Sequence, residues 1–329
     1  MPEAHPYSTL HLPPTAPFKL QPSPGKGWGA FATRHISKGS VILTEKPLFT
    51  VPKPHEQITE DDLQLAFQRL SLPQKYQFLS LRNNASTPFT SMTDAFAENS
   101  FGRSTDAGPA TLGLFVLHSR LNHSCLPNTK IPKTDPTQGI TSVAMKDIAS
   151  GEEITFCYES DFECRVRRER HAILRFECDC KACELGTALH RASEIRRVLV
   201  RGLQYLTLGV DIDGERHSSY CPIILDRDLK MTAEEMRIPL SSRLIYQLLT
   251  MVLLEEEGLL DGHMIDRLTP GLEVVYSLFS LESNVRIVTL ATLQKTWVRK
   301  FCAAMRLWGR ADPGDHAAQE LFRAARGLS

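Results

Sequence analysis

The chain has 329 residues, in which 38 Lys and Arg balance 38 Asp and Glu; 42% of positions are hydrophobic and 23% charged. That is ordinary globular composition with length enough for two domains, and a formal net charge of zero gives no electrostatic support for binding nucleic acid or a membrane surface, both of which draw on an excess of Lys and Arg. Eight cysteines are too sparse for a disulfide scaffold, so their spacing has to separate plain thiols from metal ligands.

In chain order, Met1 to Pro24 is rich in proline and lacks the apolar stretch of a signal peptide. Apolar runs such as Leu112 to Leu117 fall far short of the roughly 20 residues that cross a bilayer, so the expectation is a soluble, intracellular protein. Gly25-Lys26-Gly27-Trp28-Gly29 precedes a strand and reads by itself as a hairpin turn. It has neither the strand-turn-helix setting of a dinucleotide fingerprint nor the ending of a phosphate loop. Ser40 to Thr44, following Lys38-Gly39 and closed by Pro47, predicts a strand. Thr59 to Leu81 places Leu63, Phe67 and Leu70 at helical spacing behind a Thr59-x-x-Asp62 capping signal, which predicts a helical insert in a small-sheet fold. Ile140 to Ala144 and Ile154 to Tyr158 are two further predicted strands. From Leu185 the texture changes to amphipathic helices at Ala188 to Leu208, Ser241 to Glu257, Met264 to Leu281 and Val285 to Leu307, with Asp211 to Ser219 as a loop. They suggest stacked helical hairpins.

Three short segments carry possible chemistry. Cys178-Asp179-Cys180-Lys181-Ala182-Cys183 packs three thiols into six residues, a spacing that lets three sulfurs converge on a tetrahedral zinc. Cys125 is the best candidate for the fourth ligand, with Cys157, Cys164 and His171 competing. A closed four-cysteine site is structural. Asn122-His123-Ser124-Cys125-Leu126-Pro127-Asn128 is compact and polar, and Gly151-Glu152-Glu153-Ile154-Thr155-Phe156-Cys157-Tyr158 reads as a turn entering a strand that presents a tyrosine.

Taken with the glycine segment at 25–29, the order and spacing of these pieces resemble the SET-domain protein methyltransferases, over about residues 18 to 185. The subtype is similar to the SMYD and fungal SET proteins. The resemblance implies an α+β protein. Residues 1–17 form an extended lead-in, and 18–158 form a β-rich knotted SET fold of small sheets with a helical insert at about 51–112. A post-SET zinc tail follows at 159–185 and an all-α C-terminal domain at 186–329. The insert contains no cysteine, so the zinc-binding MYND module of SMYD proteins is missing from it.

The resemblance further implies an enzyme that passes a methyl group from S-adenosylmethionine to the side-chain amine of a lysine in a protein or peptide, histone or otherwise. Lys26, Gly27 and Trp28 would hold the cofactor through their backbone, with Ser119, Asn122, His123, Tyr158 and Phe176 contacting it. Phe176 would pack on the adenine. Tyr158 matches the catalytic tyrosine, and Phe101, Tyr158 and Leu174 would line the lysine channel. Leu174 stands where many relatives have an aromatic residue. Cys125, Cys178, Cys180 and Cys183 would hold one structural zinc. A monomer is expected, in the nucleus or the cytoplasm, without membrane or direct nucleic-acid binding. The rival reading is a catalytically weak SET scaffold that binds partners and keeps the zinc for stability.

Overall fold

The computed structural model describes residues 5–83, 85–105, 108–131, 139–208, 212–213, 250–251 and 253–260, and the chain divides into two units, Met1–Cys157 and Tyr158–Ser329. The predicted helices at 264–281 and 285–307 and most of the 211–219 loop lie outside the described residues.

In the first unit the proline-rich lead-in makes one 3-10 turn, Pro6–Thr9, which buries Tyr7. Strands β1 (Phe18–Ser23) and β2 (Gly27–Ala32) form an antiparallel hairpin whose turn contains Gly25 and Lys26. Strand β3 (Val41–Glu45) falls where Lys38-Gly39 and Pro47 bracket a β-branched run. It is followed by β4 (Thr50–Val51).

The insert then opens with α1 (Glu60–Gln68), held at its start by the predicted capping box. Asp62 N–H donates to Thr59 Oγ1 at 3.4 Å, and Thr59 N–H donates to Asp62 Oδ2 at 3.0 Å. Three acidic residues in the first turn suit the positive end of the helix dipole. The helical segment expected over 59–81 is two helices, because Pro73 lacks the N–H and carries a ring that would clash with the preceding turn of a continuous helix. The proline is tolerated in the first turn of α2 (Leu72–Leu79), where Ser71 and Gln74 form a second capping box.

Strands β5 (Arg82–Asn83) and β6 (Thr87–Pro88) make a small hairpin before α3 (Met92–Asn99). Glu60, at the start of α1, accepts hydrogen bonds from the Met92 and Thr93 N–H groups at 2.9 and 3.0 Å and so ties the two helices together. Strands β7 (Ser100–Thr105) and β8 (Gly108–Leu114) form the next hairpin, so the insert mixes helices with strands rather than being helical alone.

Four short strands complete the unit: β9 (Asn122–His123), β10 (Thr129–Lys130), β11 (Ile140–Ala144) and β12 (Glu153–Phe156). The main sheet has the order β1-β2-β12-β9; smaller sheets are β10-β11-β3, β4-β8-β7 and β5-β6. Among the described residues only β12 and β9 pair in parallel, with Thr155 opposite Asn122 and Phe156 opposite His123. The predicted strand at 154–158 ends early at Phe156, since β9 is two residues long and offers no partner beyond His123. One apolar core gathers Phe18, Ala30, Ile42, Leu121, Ile154 and Phe156 under the main sheet; another joins Leu63, Phe78, Phe96 and Leu114 in the insert. Burial of such side chains is the main stabilising term, about 1.5–3 kcal/mol for each large apolar residue.

The second unit contains α4 (Arg167–Leu174), α5 (Ala188–Leu208, as predicted) and a helical stretch at 253–257. Its interior is unusually ionic. Arg196 and Arg197 pair with Glu257 at 2.8 and 3.1 Å, and Arg201 pairs with Glu169 and Asp213 at 3.2 and 2.8 Å. Buried arginines persist only when carboxylates satisfy them, and these pairs join α4 to α5 and α5 to the 253–257 helix. Among the described residues no helix is long and apolar enough to cross a membrane.

Candidate active site

The first unit assembles a polar cluster at the mouth of the β1-β2 hairpin. Gly25 and Gly27 have φ of 72° and 78°, left-handed values that glycine adopts without strain, and they turn the chain so that Lys26 sits between them. Lys26 Nζ lies 3.6 Å from Glu153 Oε2 on β12. Asn122 Nδ2 donates to Glu153 Oε1 at 2.7 Å and to the Trp28 carbonyl at 3.1 Å. These contacts demand a bare backbone at Gly29: a Cβ there would stand 2.3 Å from Glu153 Oε1 and 2.8 Å from Asn122 Nδ2.

The other asparagine of the 122–128 segment fastens it to β12. Asn128 Nδ2 donates to the Glu153 carbonyl at 2.8 Å, and its Oδ1 accepts from Thr155 N–H at 2.9 Å. His123 is buried, with Nε2 3.3 Å from Cys125 Sγ. The Ser119 hydroxyl donates to the Phe115 carbonyl at 2.5 Å and accepts from Arg120 at 3.1 Å. Phe101 lies in an aromatic group, its ring centroid 5.8 Å from Phe115 and from Phe156 and 6.3 Å from His118. The structure thus brings Lys26, Gly27, Trp28 and Asn122 together. It also adds Glu153, which sequence reasoning passed over because a Glu at the start of a strand ordinarily signals a solvated turn.

The second unit holds the remaining predicted residues. Tyr158 and Phe176 are 43% and 47% exposed, large rings left open to solvent, and they meet edge to face at 6.5 Å. Between α4 and Phe176, Arg175 adopts φ 61°, ending the helix after the half-buried Leu174 and redirecting the chain. The sulfurs of Cys178, Cys180 and Cys183 all lie within 4.8 Å of one another. Cys183 N–H donates to the Cys180 carbonyl at 2.7 Å, closing the turn on which two of them sit.

This turn is anchored from both helices. Arg167 Nε donates to the Cys183 carbonyl at 3.0 Å, and His190 Nδ1 lies 2.9 Å from the Ala182 carbonyl. Arg170, fully buried, donates to Cys183 Sγ at 3.3 Å. His171 Nε2 accepts from Cys178 N–H at 3.2 Å; burial, helped by nearby Arg167, lowers its pKa and favours the neutral ring that accepting requires. Of the competing thiols in this unit, Cys164 donates to Gln204 Oε1 at 3.2 Å. His171, one of the competing candidate ligands, instead caps the Cys178 N–H, and Arg170 carries no sequence signal, since its proximity to the cysteines depends on how α4 packs.

Residues 27–159 match the SET domain, so the chain carries a domain of that family. It is 27% identical to the histone-lysine N-methyltransferase set5 of Schizosaccharomyces pombe over 183 residues, 55% of this chain and 54% of that protein. Over 81 residues it is 43% identical to the protein-lysine N-trimethyltransferase SMYD5 of Mus musculus, covering 22% of this chain and 18% of that one. A methyltransferase of Gibberella zeae is 24% identical over 250 residues, 58% of this chain and 34% of its own length. The likeness to SMYD and fungal SET proteins is therefore found from sequence comparison as well as from the motifs, although the chain spans only about half the length of the yeast relative.

Proposed function

We propose that the protein is an S-adenosylmethionine-dependent lysine methyltransferase acting on a protein substrate. The observation that carries this reading is the convergence of Lys26, the Trp28 carbonyl, Asn122 and Glu153 where β2, β12 and β9 lie side by side in the main sheet. A zwitterionic amino-acid group needs a cation, a carboxylate and an amide within a few ångströms, and this cluster offers all three. Tyr158 and Phe176, both exposed, are assigned to the cofactor as well, Phe176 to the adenine. The residues present fit the cofactor. His123 and Ser119 are assigned to it as well, through the backbone that their short segment presents.

S-adenosylmethionine, when bound, supplies a methyl group on a positively charged sulfur. Lysine attacks only as the neutral amine, so the side chains lining its channel must disfavour the ammonium; Phe101, Leu174 and Tyr158 are assigned to that lining. The Tyr158 hydroxyl is assigned to orienting the amine rather than to acting as a strong base. Positioning of this kind lowers barriers by several kcal/mol, up to roughly 7–11 in the best-oriented systems.

The thiols of Cys178, Cys180 and Cys183 suit zinc: Zn–S bonds of about 2.3 Å place tetrahedral sulfurs roughly 3.8 Å apart, within the spread they already have. Cys125 is assigned as the fourth ligand. Four thiolates leave no open position, so the metal is structural and belongs to a post-SET tail. The knotted SET topology and an all-α C-terminal domain are parts of the same proposal, as are a monomeric state and a nuclear or cytoplasmic location. Calorimetric titration of the zinc-loaded protein with S-adenosylmethionine tests the reading. Saturable binding near one per chain, followed by label transfer to lysine on a peptide array, is expected; a folded protein that binds none is a scaffold instead.

A further inference from the structure

The lead-in before β1 touches the cofactor cluster at two places. The His5 ring stacks on Trp28 with centroids 4.4 Å apart and planes 17° from parallel. Tyr7, almost wholly buried, meets the same indole edge to face at 6.2 Å. On its other side the Tyr7 ring carries the Arg120 guanidinium, 4.2 Å from its centroid. Arg120 in turn donates to Ser119 Oγ at 3.1 Å and to Asn99 Oδ1. Segment 5–7 is itself pinned to the insert: Arg82 N–H donates to the Tyr7 hydroxyl at 2.8 Å, and His5 Nε2 lies 2.8 Å from the Ala85 carbonyl.

We infer that His5 and Tyr7 are positioning residues for the cofactor, a strap that fixes Trp28 and, through Arg120, Ser119 in the arrangement that binds it. This rests on the proposed cofactor role of Trp28 and Ser119. The physical argument is one of preorganisation. Trp28 lies at the start of β2, beside Gly27 and Gly29, so neighbouring side chains that would restrain its backbone are absent. Its carbonyl is one of the two acceptors that orient Asn122. An indole stacked on one ring and met edge to face by another is restrained, and the 26–28 backbone that it belongs to loses less freedom when a ligand binds. Burial of Tyr7 alone could be simple packing, but a stacked histidine at a half-exposed site contributes little to the core. Its contact is directed at the one aromatic residue of the glycine segment.

The test is calorimetric titration with S-adenosylmethionine of full-length wild type, His5→Ala, His5→Phe and Tyr7→Leu, alongside their melting temperatures. His5→Ala is expected to raise the Kd about 3- to 10-fold, the range typical of one aromatic pair, at an unchanged Tm. His5→Phe keeps the stack and restores the wild-type Kd. Tyr7→Leu retains apolar volume while losing the ring under Arg120, and it too raises the Kd. Wild-type affinity in His5→Ala overturns the strap while leaving the proposed function intact. Weakened binding that His5→Phe does not rescue, or that follows a fall in Tm, also overturns it, because the effect is then structural. A folded wild type that binds no cofactor overturns the proposed function and the strap with it.

Discussion

Substituting Gly29 by alanine tests the cofactor cluster at its tightest point. The new Cβ would lie 2.3 Å from Glu153 Oε1 and 2.8 Å from Asn122 Nδ2, against an ordinary contact of 3.4–4 Å, so the carboxylate must retreat by about 1 Å. Both obstructing atoms are ends of side chains rather than backbone, and the response is rotation. The fold survives, while the 2.7 Å bond between Asn122 and Glu153 and the 3.1 Å bond from Asn122 to Trp28 are lost or lengthened. Overpacking costs about 1–3 kcal/mol, and the lower half of that range applies where side chains can turn. At about 2–4 °C per kcal/mol for a chain of moderate size, melting should fall by roughly 2–8 °C. The same 1–2 kcal/mol applied to ligand binding weakens S-adenosylmethionine about 5- to 30-fold. Gly25→Ala is the matched control: φ is +72° with nothing within 4 Å, so only a backbone penalty of about 1–2 kcal/mol is expected, with binding near wild type. Calorimetry and thermal melting separate the two. Gly29→Ala with undiminished affinity, or the same loss in both variants, would refute the assignment of the cluster to the cofactor.

Tyr158→Phe should leave both melting temperature and cofactor affinity unchanged, since the ring is 43% exposed, while single-turnover methyl transfer slows markedly; full activity would remove Tyr158 from the mechanism. Metal analysis should give one zinc per chain, lost in Cys183→Ser together with stability of the second unit. Arg170→Met should release zinc to a chelator with affinity lowered about 10- to 100-fold although every cysteine is intact, because the buried guanidinium donates to Cys183 Sγ. A further expectation concerns acid. Lys53, by its hydrogen bond to the carboxylate, and the Thr59 N–H lower the Asp62 pKa from 3.8 to about 2. A depressed folded-state value means that this contribution is complete above about pH 4 and fades as pH falls towards 2. Hydrogen exchange in the first turn of α1 should therefore accelerate over that window in wild type, and Lys53→Met should shift the acceleration to higher pH.

The sequence announced the parts of this protein whose causes are local. A capping box at Thr59 and Asp62, a β-branched run at 140–144 and the three-cysteine turn each depend on neighbours a few residues away, and each formed where the spacing put it. The helical insert expected over 59–81 contains two helices, the second carrying Pro73 in its first turn. What could not be seen lies in long-range pairing. Glu153 joins the cluster only because β12 runs beside β2, and Arg170 reaches Cys183 only because α4 packs beside the cysteine turn. The contact between His5 and Trp28 was hidden for a similar reason, since a proline-rich lead-in gives no sign of where it will dock.

Strand order has a consequence for how the chain is made. The last strand of the first unit, Glu153–Phe156, occupies an inner place in the main sheet, between a strand that ends at Ala32 and one that begins at Asn122. A nascent chain emerging at about 5–20 residues per second therefore holds the hairpin edge unpaired for on the order of ten seconds. Until then Lys26, Trp28 and Asn122 exist without the strand that registers them. Ligand competence should thus arrive late, not before residue 156 has cleared the ribosome, and the open edge before that moment is where a chaperone would have most to protect.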